Sequence, residues 1–301
     1  LKEILMANEV GHVLGKQTEY TFKYNPEILA REPRVKNRQI YGFDNSSVPW
    51  NAGVDAWHAY EASFLTEKGL PVNGILKLII PANSEFIVES KSLKLYLFSF
   101  NMQRIGTDIA DASRKYVDII TKDLSALLNC NVIATLTLGK DAVFIDDIAL
   151  SHAINLESLI DADTVEFTAY KENPALLTED TSAKPGQFFI KTDVLRSACK
   201  ITHQPDEGTL YIHIRGNTLP TLQSLLQYIV SIRDEYHFHE EIVEMVYSRL
   251  QERFLPDDLM VCALYTRRGG IDICPARASR EDLLPLQLID PAILTTKEYR
   301  S

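Results

Sequence analysis

Residues 71–80 read PVNGILKLII, and residues 205–214 read PDEGTLYIHI. Both fit Pro-x-x-Gly-x-Leu-x-aliphatic-x-Ile. The Pro and Gly are turn residues, and the alternation after them has the period of a half-buried strand. A second echo follows in each copy: SLKLYLFSF at 92–100 and SLLQYIVSI at 224–232. Leu93, Tyr96, Leu97 and Phe100 match Leu225, Tyr228, Ile229 and Ile232, spaced as one face of a helix. Gly74 precedes Ser92 by 18 residues and Gly208 precedes Ser224 by 16. Shared order and near-equal spacing point to an internal duplication.

Working outward, each copy continues into a longer amphipathic helix. The first is predicted over 109–128, with Tyr116, Ile120, Leu124 and Leu127 on its buried face. The second starts near His239, with Val243, Tyr247, Leu250 and Phe254 inward. Strands are expected next, over 132–138 and 260–266. The fold class is therefore α+β, with antiparallel sheets backed by paired helices. The polar, Pro-containing stretch 171–186 divides the chain into an N-terminal unit (1–170) and a C-terminal unit (187–301).

The formal net charge of -10 over 301 residues argues against a protein that coats nucleic acid or an anionic membrane. No apolar run reaches the length of a membrane span. No basic segment followed by an apolar core opens the chain, and the four cysteines include no CxxC pair. A cytoplasmic protein with free thiols is expected.

The two copies differ where chemistry could sit. Cys199 stands where the first copy has Leu65, and Asp206 where it has Val72. A thiol and a carboxylate thus belong to one half only. Cys199 is either a nucleophile or a small buried hydrophobe, and Asp206 an acid or a turn residue. His239 and Glu240 open a helix, where they either bind a ligand or simply suit the helix dipole. Glu89-Ser90-Lys91-Ser92, with Lys94, belongs to the other half. It places hydroxyls and ammoniums at a helix start, as a phosphate site or an ordinary cap. Tyr265-Thr266-Arg267-Arg268-Gly269-Gly270 ends a strand in two arginines and two glycines, a pattern that can grip an anion. The halves look specialised, with one composite site built from both. His237 and His239 lack companion ligands, so no metal is expected. No GxGxxG or P-loop is present, so a dinucleotide would bind outside a Rossmann fold.

Long segments of the chain also resemble one family. ESKSLKLYLFSFNMQR (89–104), CKITHQPDEG (199–208), FHEE (238–241) and YTRRGGIDICP (265–275) are similar to the 7-cyano-7-deazaguanine reductases of queuosine biosynthesis, a route of tRNA modification. LGKQTEY (14–20), EPRVKNR (32–38) and GVDAWHAYEASFLTEKGLP (53–71) resemble the long, two-unit branch of that family. The resemblance implies a tandem tunnelling fold whose barrel forms on association, and a homodimer. It implies NADPH as cofactor, a small 7-deazapurine as substrate, and no direct nucleic-acid or membrane partner. Cys199 would attack the nitrile carbon to give a covalent thioimide, and Asp206 would protonate the nitrogen. Val88, Glu89, Ser90, His239 and Glu240 would bind the base. Ser90, Lys91, Arg268 and Gly269 would contact NADPH, with Lys94 one helical turn further along. The sequence departs from the family pattern at Ala198 and Cys274 (usually Asn), Glu207 (Trp), Ala276 (Tyr) and Phe64 (frequently Trp). None of these removes a proposed catalytic group. Two other readings stay open: a related amidinotransferase, which would attack the thioimide with ammonia, and a non-catalytic deazapurine-binding module.

Overall fold

The computed structural model describes residues 23–142, 144–145, 148–182 and 185–295. The LGKQTEY segment lies outside them. Both quoted segments are strands, β3 (Pro71–Pro81) and β10 (Pro205–Gly216). In β3, Leu76, Leu78 and Ile80 turn to one face; in β10, Leu210, Ile212 and Ile214 do the same. Each such face is covered by a helix pair. On β3 lie α1 (Ser90–Phe98) and α2 (Ile109–Leu128), and on β10 lie α3 (Leu222–Ser231) and α4 (His239–Phe254).

The predicted helix faces are the buried ones, with one change. In α2 the inward stripe is Ala112, Tyr116, Ile120, Leu124 and Leu128, while Leu127 is only partly buried. A strict four-residue step carries the stripe slightly round the helix, which exchanges Leu127 for Leu128 at its last turn. Asn129, at φ 53, then ends the helix. Phe64 is fully buried and stacks on Tyr116 with ring centroids 4.6 Å apart, a contact of about 0.5–1.5 kcal/mol beyond its burial. Helix α4 departs further from a simple amphipathic pattern. Glu240, Glu241 and Glu244 are buried along with its apolar residues.

One sheet runs through both halves. β2 (Ala52–Leu65) pairs with β3, and β3 with β5 (Ile133–Leu138). β10 lies between β8 (Gly186–Thr192) and β11 (Asp258–Tyr265), which pairs with β12 (Ile271–Ala278). β12 then pairs antiparallel with β2, Ile273 opposite Trp57, and closes the gap between the halves. The order is β5-β3-β2-β12-β11-β10-β8-β7, with β7 (Ile154–Asn155) parallel to β8 and β9 (Arg196–Ala198) attached to the start of β10. Two short ribbons stand apart: β1 (Arg31–Pro33) with β4 (Phe86–Val88), and β6 (Phe144–Ile145) with β13 (Leu294–Thr295). No local periodicity signals the β2–β12 junction, because it pairs residues as distant in the chain as Ala52 and Ala278.

Beside that junction five charged side chains are buried together. Glu244 Oε1 accepts from Arg38 at 2.7 Å and from Arg277 at 2.8 Å, and lies 3.6 Å from Arg34. Asp55 accepts from Arg277 at 2.7 Å and also from Arg34. Burial alone would raise both carboxyls. The guanidiniums outweigh it and hold Asp55 and Glu244 below the usual carboxylate range. Among the described residues, no helix is long and apolar enough to cross a membrane.

Candidate active site

The site starts at the end of β9. The chain turns back at 199–204, where the His203 N–H donates to Cys199 O at 2.8 Å and the Cys199 N–H to Gln204 O at 2.9 Å. His203, at φ 58, sits in the left-handed region that so tight a reversal needs. The turn holds the Cys199 thiol half-buried and free, and delivers the chain into β10 with Asp206 paired opposite Ser197. Cys199 and Asp206 thus flank the β9–β10 turn.

The first turn of α4 supplies the next wall. The Glu241 carboxylate accepts from the Phe238 N–H at 2.9 Å and from Lys200 at 2.7 Å, bracing the helix start against the cysteine turn. Burial would raise Glu241, but His237 and Lys200 bring it below the usual range. The His239 ring lies flat on Tyr265, centroids 3.8 Å apart, with Nε2 3.4 Å from Asp206 Oδ1 and no hydrogen-bond partner on Nδ1. Glu240 is 2% exposed. Burial, and then the charge of Asp55, push its carboxyl up to about 8.

The first half closes the other side. β4 ends at Val88, and Glu89 caps α1 by accepting the Ser92 N–H at 2.7 Å. Its second oxygen, Oε1, is buried without a partner, and burial raises its pKa. Ser90, Lys91 and Lys94 lie on the first turns of α1. Arg268 and Gly269 lie on the β11–β12 turn, where a side chain at Gly269 (φ +57) would collide with the Lys94 ammonium. Arg268 pairs with Asp206 Oδ1 at 3.0 Å.

These groups line one cavity of about 410 Å³, within the size range of small-ligand sites. Val88, Ser90, Lys91, Cys199, Asp206, His239, Glu240, Arg268 and Gly269 all face it, as does Lys94. Glu89, which accepts the Ser92 N–H through Oε2, is not among the lining residues. Trp57, Gln204, Phe238 and Ile273 also line it. Reading the sequence for chemistry passed over them, because apolar and amide side chains carry no such signal. Both halves contribute, as the differences between the copies suggested. A grouping with metal-ligand spacing does occur elsewhere: His58, Asp272 and Cys274. It is fully buried and outside the cavity, and its His58 Nδ1 and Asp272 already bind each other at 2.7 Å.

Against known proteins, residues 20–136 match the family model described as nitrile reductase, 7-cyano-7-deazaguanine-reductase N-term. Residues 205–282 match a second one, described as QueF-like protein. A Hahella chejuensis protein named NADPH-dependent 7-cyano-7-deazaguanine reductase is 41% identical over 269 residues, covering 88% of this chain and 92% of that protein. The chain belongs to the 7-cyano-7-deazaguanine reductase family. Proteins of the same name from Colwellia psychrerythraea and Psychrobacter cryohalolentis are 37% and 38% identical, covering 90% and 91% of this chain and 93% and 96% of their own lengths. Membership of the 7-cyano-7-deazaguanine reductase family gives the cavity its context: the thiol, the carboxyls and the cations lie around one space.

Proposed function

We propose that this chain reduces the nitrile of 7-cyano-7-deazaguanine to an aminomethyl group, using NADPH, as a step of queuosine biosynthesis. The observation that carries the reading is the single cavity that gathers Cys199, Asp206, His239 and Glu240 beside Ser90, Lys91, Lys94 and Arg268. The thiol of Cys199 adds to the nitrile carbon. A sulfur–carbon bond forms, and the thiol proton ends on nitrogen, leaving a thioimide. Asp206 handles that proton. The carboxyl of Glu240 takes the ring N1–H and 2-amino donors of the base, which suit two oxygens side by side. A purine lacking both would leave a buried carboxyl unpaired and be rejected. When bound, NADPH would supply two hydrides to the former nitrile carbon, since nitrile to amine is a four-electron change. Between them the carbon–sulfur bond breaks and Cys199 leaves as thiolate, so that the second hydride meets an imine and the enzyme is regenerated. Ser90, Lys91, Arg268 and Gly269, with Lys94, would hold it. Three cations with a hydroxyl at a helix start and a glycine turn fit a dianionic phosphate.

We further infer two tunnelling-fold units, 1–170 and 187–301 joined by 171–186, working as a homodimer in the cytoplasm without a nucleic-acid or membrane partner. The edge of β5, which has a sheet neighbour on one side only among the described residues, supports barrel closure by association. Four free cysteines support a reducing compartment.

The covalent step is tested by mass. Mixing the protein with the base and no reductant should add the mass of the base to the peptide carrying Cys199. An adduct on another residue, or none, contradicts the assignment.

Glu240 gives a pH dependence. Its carboxyl is pushed up to about 8 by burial and Asp55, so at pH 7 it carries a proton that the two donors of the base must displace. Affinity for the base should therefore rise with pH, about tenfold per unit well below that value, and level off above it. Calorimetry at pH 7 in buffers of different ionisation enthalpy should show release of about one proton per base bound. Affinity that falls with rising pH would contradict the role.

A further inference from the structure

Arg268 faces two duties that compete. Its guanidinium holds Asp206 Oδ1 at 3.0 Å, and the same side chain lines the cavity beside Lys91 and Lys94. The Asp206 side chain is 6% exposed and the Arg268 side chain 40%. Asp206 is thus fixed and Arg268 has room to move. Its backbone is not what would move: Arg268 and Ile271 exchange N–H···O bonds at 2.8 and 3.1 Å across the Gly269–Gly270 turn. Three methylenes let the guanidinium swing within the cavity that Lys91 and Lys94 also line. Removal of Arg268 would leave Asp206 Oδ1 with His239 Nε2 at 3.4 Å.

We propose that Arg268 couples the two sides of the cavity: with no anion bound it grips Asp206, and a phosphate held by Lys91 and Lys94 draws it away. This rests on reading the cationic side as the phosphate side. The consequence is chemical. While gripped by the guanidinium, the carboxylate can only relay the thiol's own proton to nitrogen during adduct formation and ends as a carboxylate. The hydride steps need a further proton from solvent: once Arg268 has turned to the phosphate, Asp206 takes up that proton and passes it to the substrate nitrogen as hydride reaches the carbon. Asp206 is then a carboxylate again, ready for Arg268 when the phosphate leaves. Proton delivery to the hydride steps would thereby be tied to an occupied cofactor site. Arg268 acts here as a positioning residue for Asp206.

Coupling of this kind is reciprocal, so it is readable by affinity without turnover. NADP⁺ and, separately, inorganic pyrophosphate are titrated calorimetrically into the wild type, Asp206→Asn, Arg268→Gln and the double variant. Asp206→Asn frees Arg268 and should tighten anion binding about 5-fold or more. In the Arg268→Gln background the same substitution should do nothing, because no guanidinium remains to be released. Equal gains in both backgrounds would mean general charge repulsion and overturn the coupling, as would no gain at all. A cycle seen with pyrophosphate while NADP⁺ fails to bind would uphold the coupling and reject the nicotinamide cofactor. NADP⁺ that binds while neither ligand senses Asp206 would do the reverse.

Discussion

Cys199→Ala is expected to lose at least about 10³-fold in turnover, while folding and holding the base as before. The thiol is the one sulfur nucleophile among the described residues that line the cavity, so its loss removes a chemical step rather than a contact. The turn that carries it is closed by backbone bonds, Cys199 N–H to Gln204 O and His203 N–H to Cys199 O, and Ala makes both. Glu240 and His239 belong to α4 and do not touch that change. The split is thus large in kcat and small in affinity for the base, read by NADPH oxidation and by calorimetry of the base. Turnover in the variant within about tenfold of wild type would remove Cys199 as nucleophile.

The second large effect is on stability. Glu244→Ala should cost about 3–5 kcal/mol in urea unfolding. Glu244 meets Arg34, Arg38 and Arg277, all at 2% exposure or less. Its removal leaves Arg34 and Arg277 sharing Asp55, and leaves Arg38 with the neutral acceptors Asn45 Oδ1 and Ala82 O and no carboxylate among the described residues. Because Arg34 and Arg38 come from the first half and Arg277 from the second, the loss also loosens the joint at β2–β12. The pH behaviour has a definite sign. Asp55 and Glu244 are held below their ordinary values. The stability they contribute is therefore present above the ordinary carboxylate range and lost as pH falls through their depressed values. A cost below about 1 kcal/mol, as for an exposed ion pair, would contradict the network.

Part of this was legible beforehand. Comparing the two copies isolates Cys199 and Asp206, since Leu65 and Val72, which carry no reactive group, stand in their places. The helix faces follow from spacing, with Leu128 replacing Leu127 where the helix drifts. What stayed hidden depends on distant pairing. Arg38 and Glu244 are 206 residues apart. In the sequence Arg38 is one more charge in EPRVKNR, and Glu244 sits on a helix that also reads as exposed there. Likewise Glu240 suits a helix start on dipole grounds alone. Its 2% exposure and its raised carboxyl come from the packing of α4 against β11 and β12, with the charge of Asp55 adding to the effect of burial. Chemistry carried by residue type shows in the sequence, and chemistry tuned by burial does not.

Nitrile reduction at the cavity shared by the two halves is read from turnover itself. The purified protein is mixed with 7-cyano-7-deazaguanine and NADPH, oxidation is followed, and the products are identified by mass. Two NADPH should be consumed for each aminomethyl product. No oxidation, with the protein gaining the mass of the base, would contradict it: the thiol chemistry would survive, and the assignment as a reductase would not.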